Sequence, residues 1–594
     1  MMSPVSSRRR AVVAILVIVA MVAVLIVRLV DLQVVRADAL DRQSAEARGA
    51  VLKTVGTRGS IVAADGTVLA SSVLRYDVIA SPMNANTFDR TDAAGHDTKV
   101  TRAMAAAEIA AATDQTAADV LSTISAALKD NPESQYAVLA QSIDVPAYKK
   151  LRSAGIPWLS FPSHQTRVYP NGAVAGNVLG FVGADGNPQA GLESEYDKCL
   201  RGSDGEETFQ TSEDGVTIPG STVTRKKAKN GGTLVTTLDT DLNWFAQDEL
   251  AKAVKKLHAE FGMVSVVSVK DGAIKAAAQY PTVDPNNVGA TAPQYRGAMM
   301  FQNQYEPGSI FKPLTAAALI EAGKATPFTQ VRVPDVLTPG GGVMVRDSEA
   351  HPTQNLTMTG VLTESSNVGM SLLGTRLSDT RRYDFLRKLG IGSSTHSGFP
   401  AEASGQLHPP SEWDAQTRYA TTFGQAVSAS QVQMLSAYQT IANGGVRVPL
   451  TLVDGCKNAD GTITSAPSGK GTRIIAKKTS QEVLGMLENV LKGGPLSTLP
   501  DTEFPGYTIA AKTGTAQEPD GNGVYRSGSY YVSIMGIAPV DDPQYVVSVN
   551  IGFPTTITSS YAARPLFQQV MNQVLKTFRV KPSTTPQSNY PDTY

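Results

Sequence analysis

Cysteine, histidine and net charge are all scarce in this chain, and each scarcity narrows what the protein can do. Among 594 residues there are two cysteines, Cys199 and Cys456, far apart in the chain. An exported domain can form a disulfide, but two isolated residues in what read as separate domains predict unpaired thiols. Six histidines (His96, His164, His258, His351, His396 and His408) are scattered, with no H-x-x-x-H pair and no Cys/His cluster. Neither a metal site nor a cofactor is therefore expected. Lys and Arg total 53 against 53 Asp and Glu, which leaves no overall field to attract nucleic acid, and no nucleic-acid motif occurs. A phosphate loop is missing too. Gly469-Lys470-Gly471 has part of the pattern, but Thr464 stands where its first glycine belongs and Gly471 replaces the Ser/Thr. What remains is a globular balance, 42% hydrophobic and 18% charged, in a chain long enough for three or four domains.

Long apolar runs are scarce as well; one stands out. Arg8-Arg9-Arg10 immediately precedes Ala11 to Val27, which carries no polar side chain. As a helix that run spans about 25 Å, and it reaches bilayer thickness if Arg28 and Asp31 snorkel at the far side. A cleaved signal peptide is the rival reading, but no A-x-A-like site follows directly. The continuation RLVDLQVVRADAL alternates polar and apolar residues and reads as more helix. The expectation is an uncleaved single-pass anchor over 11–33 with a basic cytoplasmic tail over 1–10. The positive-inside rule then puts the rest of the chain outside the cytoplasm.

Chemistry first shows in EPGSIFKPLTAAALIEAG, Glu306 to Gly323. Pro307-Gly308 breaks the preceding segment, and apolar residues at helical spacing (Ile310, Leu314, Ala317, Ala318) run on to Gly323. Ser309 and Lys312 then share one face of a first turn. A serine hydroxyl needs a base within reach to act as a nucleophile, and a lysine with a lowered pKa can be that base. A capping serine and a solvated lysine fit the same four residues. Two later stretches decide between them. ESSNVGM places Ser365, Ser366 and Asn367 in a short polar break, and YTIAAKTGTAQ places Lys512-Thr513-Gly514-Thr515 in an alternating, strand-like run.

S-x-x-K, S-x-N and K-T-G in that order resemble the penicillin-recognising serine acyltransferases. The first half of the chain extends the likeness. TRGSIVAADGTVLASS reads as a hairpin, with Ile61-Val62 and Val68-Leu69 flanking the turn Asp65-Gly66. That hairpin, RVYPNGAVAGNVLGFVG and GLESEYDKCLRGSDG are similar to recurrent stretches of the class B, monofunctional penicillin-binding proteins, so the likeness runs from Arg58 to about Phe578. Asp65 replaces the usual asparagine of the hairpin, a departure that concerns structure more than chemistry. The E-D-x-x-F signature of a glycosyltransferase, expected of class A relatives, does not occur.

The implied fold class is α/β (α+β): a single transmembrane helix, an elongated mixed pedestal over 34–228, and a transpeptidase domain over 229–579 with an antiparallel sheet flanked by helices. The last stretch, 580–594, is polar and proline-bearing and is expected to be disordered. The resemblance implies Ser309 as nucleophile, Lys312 as base, and Ser365 as proton carrier to the leaving amine. Asn367 would hold a substrate amide, and Lys512 would be a second cation that helps keep Lys312 neutral. Lys512, Thr513 and Thr515 would receive a terminal carboxylate, while Gly514 lets substrate backbone lie close. An oxyanion hole from the N–H groups of Ser309 and Thr515 is also implied. The expected substrates are D-Ala-D-Ala stem peptides of peptidoglycan, with β-lactams as mimics. The expected partners are the cytoplasmic membrane, a multi-span glycan polymerase and other cell-wall synthesis proteins. A carboxypeptidase would use the same residues with water as acceptor, and a β-lactam sensor or scaffold would use the same fold. A β-lactamase would want a positioned glutamate, and nothing gives that part to Glu364. RLVDLQVVRADAL and the modest pedestal look more like division-type than elongation-type members.

Overall fold

The computed structural model describes residues 4–36, 49–91, 95–210, 221–466, 469–493, 504–519 and 525–594. By internal packing the chain forms two compact units, one of residues 1–58 and 201–231 and one of 59–200 and 232–594. The stretch expected as one pedestal, 34–228, is thus divided between them.

The first unit holds the apolar helix Pro4–Val30, continued by a π-helical turn over Asp31–Val35. The span Arg8–Val35 is long and apolar enough to cross a membrane. Its polar end is internally paired: Arg28 meets Asp31 at 2.9 Å and Arg36 meets the same carboxylate at 3.2 Å. Residues 37–40, which end the RLVDLQVVRADAL block, lie outside the described residues. The unit also contains a three-stranded antiparallel sheet of Gly49–Thr54, Gly205–Gln210 and Val223–Lys226.

The second unit has two large sheets among its described residues. In one, the Ile61–Val62/Val68–Ala80 hairpin predicted from Asp65-Gly66 forms, with Ile61 opposite Ala70. Ile61–Val62 also pairs, in parallel, with Thr233–Thr236, which pairs in turn with Val453–Lys457. Strands from the expected pedestal and from the expected catalytic half therefore share one sheet. This sheet overturns the prediction of two free thiols. Leu234 lies opposite Cys456, and the neighbouring Gly232 N–H donates to the Cys199 carbonyl at 2.8 Å. Cys199 and Cys456 are brought to a Cα separation of 6.1 Å and joined as a disulfide. Two helices form over Arg102–Thr113 and Ala117–Asp130, each capped by a threonine.

The other sheet is five-stranded and antiparallel, in the order Ile274–Tyr280, Phe261–Ser268, Tyr545–Gly552, Tyr525–Ala538, Ala510–Pro519. Its first two strands come from the start of the domain and its last three from the end. Alternate residues serve opposite faces. On one, a Cβ at Gly262 would strike Leu250 and Val254 of helix Thr240–Leu257, and one at Gly536 would strike Phe567 of helix Arg564–Thr577. On the other, the Ser265 hydroxyl donates to Gln431 at 2.7 Å, and Gln431 donates to Asn550 at 2.6 Å. Gln431 opens the wholly buried helix Gln431–Ala442, so that helix sits behind the sheet with its polar groups engaged.

The segment 580–594, expected to be disordered, is instead pinned along its length. Ser583 N–H donates to Gly506 O at 2.9 Å, Thr584 N–H to Asp541 at 2.7 Å and Ser588 N–H to Glu488 at 2.8 Å. Tyr590 packs edge-on to Phe328, 5.2 Å between ring centres. Its polar composition marks hydrogen bonds to the domain surface rather than freedom in water.

The disulfide closes a loop of 257 positions within one unit. Changing both cysteines to serine is expected to cost about 2–4 kcal/mol of stability. In thermal or denaturant unfolding of the detergent-solubilised protein, a reductant should lower the midpoint of the wild type and leave the double variant unmoved.

Candidate active site

The three motifs, separate in sequence, converge on one cleft of about 250 Å³ whose walls include Ser309, Ser365, Asn367, Thr513 and Thr515. The turn that carries Ser309 is the centre. Gly308–Phe311 is a 3-10 turn, and the α-helix proper runs from Lys312 to Glu321 with Pro313 in its first turn. Proline fits there because its missing N–H would have no helical partner. With three residues per turn, Ser309 and Lys312 stand directly one above the other. The Lys312 Nζ donates to Ser309 Oγ at 3.0 Å.

The turn is held from behind. Tyr438, fully buried, donates its hydroxyl to the Ile310 carbonyl at 2.8 Å. Gly308 sits at φ +56°, and its N–H donates to Gly424 O at 2.9 Å. A Cβ on Gly424 would lie 2.3 Å from the Gly308 carbonyl, so only glycine lets the two backbones touch.

Ser365 supplies the second hydroxyl from the loop between helices Met358–Thr363 and Asn367–Gly374. Its backbone is left-handed at φ +59°, a conformation that costs a non-glycine residue about 1–3 kcal/mol. The conformation turns both its carbonyl and its hydroxyl toward Lys312, whose Nζ donates to the carbonyl and lies 3.3 Å from Oγ. Lys512 Nζ reaches the same hydroxyl at 2.8 Å. One serine oxygen therefore lies between two lysines, each with no exposed surface.

Burial sets the charge state of this pair. It pushes the Lys312 ammonium down to about 7, against the pull of the Asp347 carboxylate, which favours the charged form. It pushes Lys512 far below the ordinary lysine range, and the neighbouring Lys312 adds to the lowering. Lys512 was expected to help keep Lys312 neutral; burial leads in both lowerings, and repulsion between the two cations, which acts on either alike, works in the same direction.

Among the described residues the K-T-G strand, Ala510–Pro519, is an edge strand paired only with Tyr525–Ala538 in its sheet. Thr513 and Thr515, two apart, line the cleft, while the Lys512 side chain runs behind it to Ser365. Gly514 was expected to make room for substrate backbone. Its close neighbours are protein: a Cβ would lie 2.4 Å from Ser533 Oγ, 3.1 Å from Ile310 Cγ2 and 3.2 Å from Pro307 O. It lets the strand lie against the nucleophile turn. Asn367 lines the cleft with its amide nitrogen on the Arg346 carbonyl at 3.2 Å.

One residue that ties the site together carried no sequence signal. Asp347 is nearly buried and ties the S-x-N loop together. It accepts from the Ser366 hydroxyl at 2.6 Å, from the Asn367 N–H, and from the Val368 N–H at 3.0 Å. A carboxylate there also suits the positive N-terminal end of helix Asn367–Gly374. His351 stands 3.0 Å from its other side, its imidazole pushed up first by the hydrogen bond to Pro352 O and then by Asp347. Asp347 lies about twenty positions before the loop in sequence, so no local pattern linked them. A larger cavity of about 530 Å³, lined by Gln304, Glu306, His408 and Trp413 among others, holds none of the motif residues.

Comparison with known proteins gives the family. The penicillin binding protein transpeptidase domain matches residues 262–572, and the penicillin-binding protein dimerisation domain matches 53–236. The chain is 32% identical to penicillin-binding protein PbpB of Mycolicibacterium smegmatis, over 96% of this chain and 90% of that one. It is 31% identical to the probable peptidoglycan D,D-transpeptidase PenA of Neisseria meningitidis, over 75% and 74% of the two. The crystal structure of penicillin-binding protein 3 from Mycobacterium tuberculosis, complexed with aztreonam, superposes with a TM-score of 0.68 at 27% identity, over 91% of this chain and all of that one. This chain belongs to the class B penicillin-binding proteins, with a dimerisation domain followed by a transpeptidase domain.

The lowered Lys312 gives a signed pH dependence. Only the neutral amine can take the Ser309 proton, and it predominates above about pH 7. Acylation of Ser309 by a β-lactam should therefore rise about tenfold per pH unit below that point and level off above it. Stopped-flow acylation rates from pH 5 to 9 check this; a rise centred near the ordinary lysine value of about 10.4 would contradict it.

Proposed function

We propose that this protein is a serine D,D-transpeptidase that cross-links peptidoglycan stem peptides through an acyl-enzyme on Ser309, and that β-lactams acylate the same residue. The observation that carries the reading is the 3.0 Å contact of Lys312 Nζ with Ser309 Oγ beside a serine hydroxyl shared by two buried lysines. Neutral Lys312 takes the Ser309 proton as Oγ attacks the carbonyl of the penultimate D-Ala. The N–H groups of Ser309 and Thr515 receive the developing oxyanion. As the terminal D-Ala leaves, its amine collects a proton handed from Lys312 through Ser365, and the ester on Ser309 remains. A stem-peptide amine then attacks that ester, returning its proton along the same path, and the new amide bond frees Ser309.

Substrate positioning falls to the remaining motif residues. Thr513 and Thr515 offer hydroxyls to the terminal carboxylate, with Lys512 supporting it electrostatically from behind. Asn367 exchanges its Arg346 contact for a substrate amide.

The Arg8–Val35 helix reads as a single-pass anchor, with the N-terminus cytoplasmic and the catalytic domain outside the membrane. The RLVDLQVVRADAL block and the modest pedestal support a place in septal wall synthesis. A cross-linking enzyme without a glycan-polymerising motif needs strands made elsewhere, so a multi-span glycan polymerase is the expected membrane partner.

Fluorescent penicillin followed by peptide mass spectrometry tests the chemistry. Label is expected on Ser309, none in Ser309→Ala, and a loss of about 10²–10⁴-fold in Lys312→Arg, whose guanidinium cannot act as base. Label on another serine would contradict the assignment. The membrane reading is checked by replacing residues 11–33 with an unrelated single-pass helix. The exchanged protein should still label but fail to support growth; full growth would reduce the helix to a tether.

A further inference from the structure

We propose that the C-terminal segment Tyr590–Tyr594 is a strap that positions the Ser365 hydroxyl, with Asp592 and Thr363 as its working contact. This goes beyond the proposed reaction but rests on Ser365 as its proton carrier.

Helix Met358–Thr363 is six residues long and ends two positions before Ser365. So short a helix has little stability of its own, yet it must hold a left-handed serine between two lysines. The strap grips it at both ends. At the start, Thr357 caps the helix by accepting from Gly360 N–H at 3.1 Å. Thr357 itself gives its N–H to Asp592 O at 2.9 Å and its hydroxyl to Pro591 O at 2.6 Å. At the end, the Thr363 hydroxyl donates to Asp592 Oδ1 at 2.8 Å. Between them the strap's backbone lies directly on the helix. A Cβ on Gly360 would come within 1.9 Å of the Asp592 carbonyl oxygen, so the glycine is there to admit it.

The strap is anchored on the far side by helix Lys477–Gly493. Asn489 donates to Tyr590 O and also lies 3.4 Å from Asp592 Oδ1. Thr593 bridges to Leu356, the residue before the cap. Asp592 also acts through space: with partial burial as the first cause, its carboxylate helps push up that of Glu364, which lines the cleft beside Ser365. One residue thus fixes both ends of the helix and bears on the wall of the cleft. Thr363 and Asp592 are positioning residues; neither lines the cleft.

The test uses the full chain in detergent with fluorescent penicillin, resolving the saturating acylation rate from the half-saturating concentration, alongside the unfolding midpoint. Loss of one buried hydrogen bond is worth about 1 kcal/mol, so Thr363→Val and Asp592→Ala should each slow saturating acylation by about five- to tenfold. The half-saturating concentration should stay within about twofold, since the cleft walls that meet the antibiotic are retained. Thr363→Ser, which keeps the hydroxyl, should acylate within about twofold of wild type, as expected if the hydrogen bond carries the effect. Gly360→Ala, which displaces the strap, should reproduce Thr363→Val. Ser588→Ala removes a contact to Gly485 and Glu488 that lies before the strap and away from this helix, and it should leave acylation unchanged. Wild-type rates in Thr363→Val and Gly360→Ala would overturn the proposal. So would equal slowing in Ser588→Ala, or slowing that simply follows the unfolding midpoint across the set. Wild-type label on Ser309 reports the transpeptidase reading separately, and its absence would overturn both.

Discussion

Two lysine ammonium groups, removed from water and sharing one serine hydroxyl, are the constraint on which the rest of this site depends. Neither Lys312 nor Lys512 has exposed surface, and desolvation on that scale disfavours the charged form. In water Lys312 would be a solvated cation and Ser309 an inert alcohol. Enclosed beside Ser365, the same amine is lowered to about 7, which suits it to the part of base proposed for it. The nearby Asp347 limits the effect by favouring the cation, so the amine stays close to the pH at which it can both take and return a proton.

Such enclosure demands rigidity in three unconnected pieces of chain. The nucleophile turn is gripped by Tyr438 and by Gly424, the K-T-G strand reaches it because Gly514 has no side chain, and the S-x-N loop is gathered by Asp347. Two of these supports are glycines at backbone contacts where a methyl group would strike protein. The five-stranded sheet carries the K-T-G strand, and the buried Gln431 network fixes the helix that presents Tyr438. Much of the fold that is not catalytic therefore serves to keep water away from two nitrogens.

The C-terminal segment fits the same logic. Its polar sequence has few apolar groups to bury, and on composition alone it belongs with disordered tails. It is ordered because the domain surface offers it acceptors and donors at regular intervals, from Gly506 and Asp541 to Glu488 and Thr357. The unpaired-thiol expectation failed for a related reason. Cys199 and Cys456 meet only because the strand Thr233–Thr236 joins sheet partners from both halves of the chain.

What the sequence by itself determined is what short-range pattern encodes. Turn residues at Asp65-Gly66 fixed a hairpin, alternation fixed the strand that carries Lys512, and helical spacing after Pro307-Gly308 placed Lys312 one turn beyond Ser309. Three motifs in order identified the family and the chemistry, because each is a few residues long and keeps its meaning wherever the fold puts it. Tertiary structure alone decided what depends on distance across the fold. It brought Asp347 to the loop, joined the cysteines, laid residues 590–594 over Gly360, and set Gly514 against Ser533. Above all it decided the state of Lys312, since a lysine's pKa is set by the water it loses, and which water is lost is known only once the chain has closed around it.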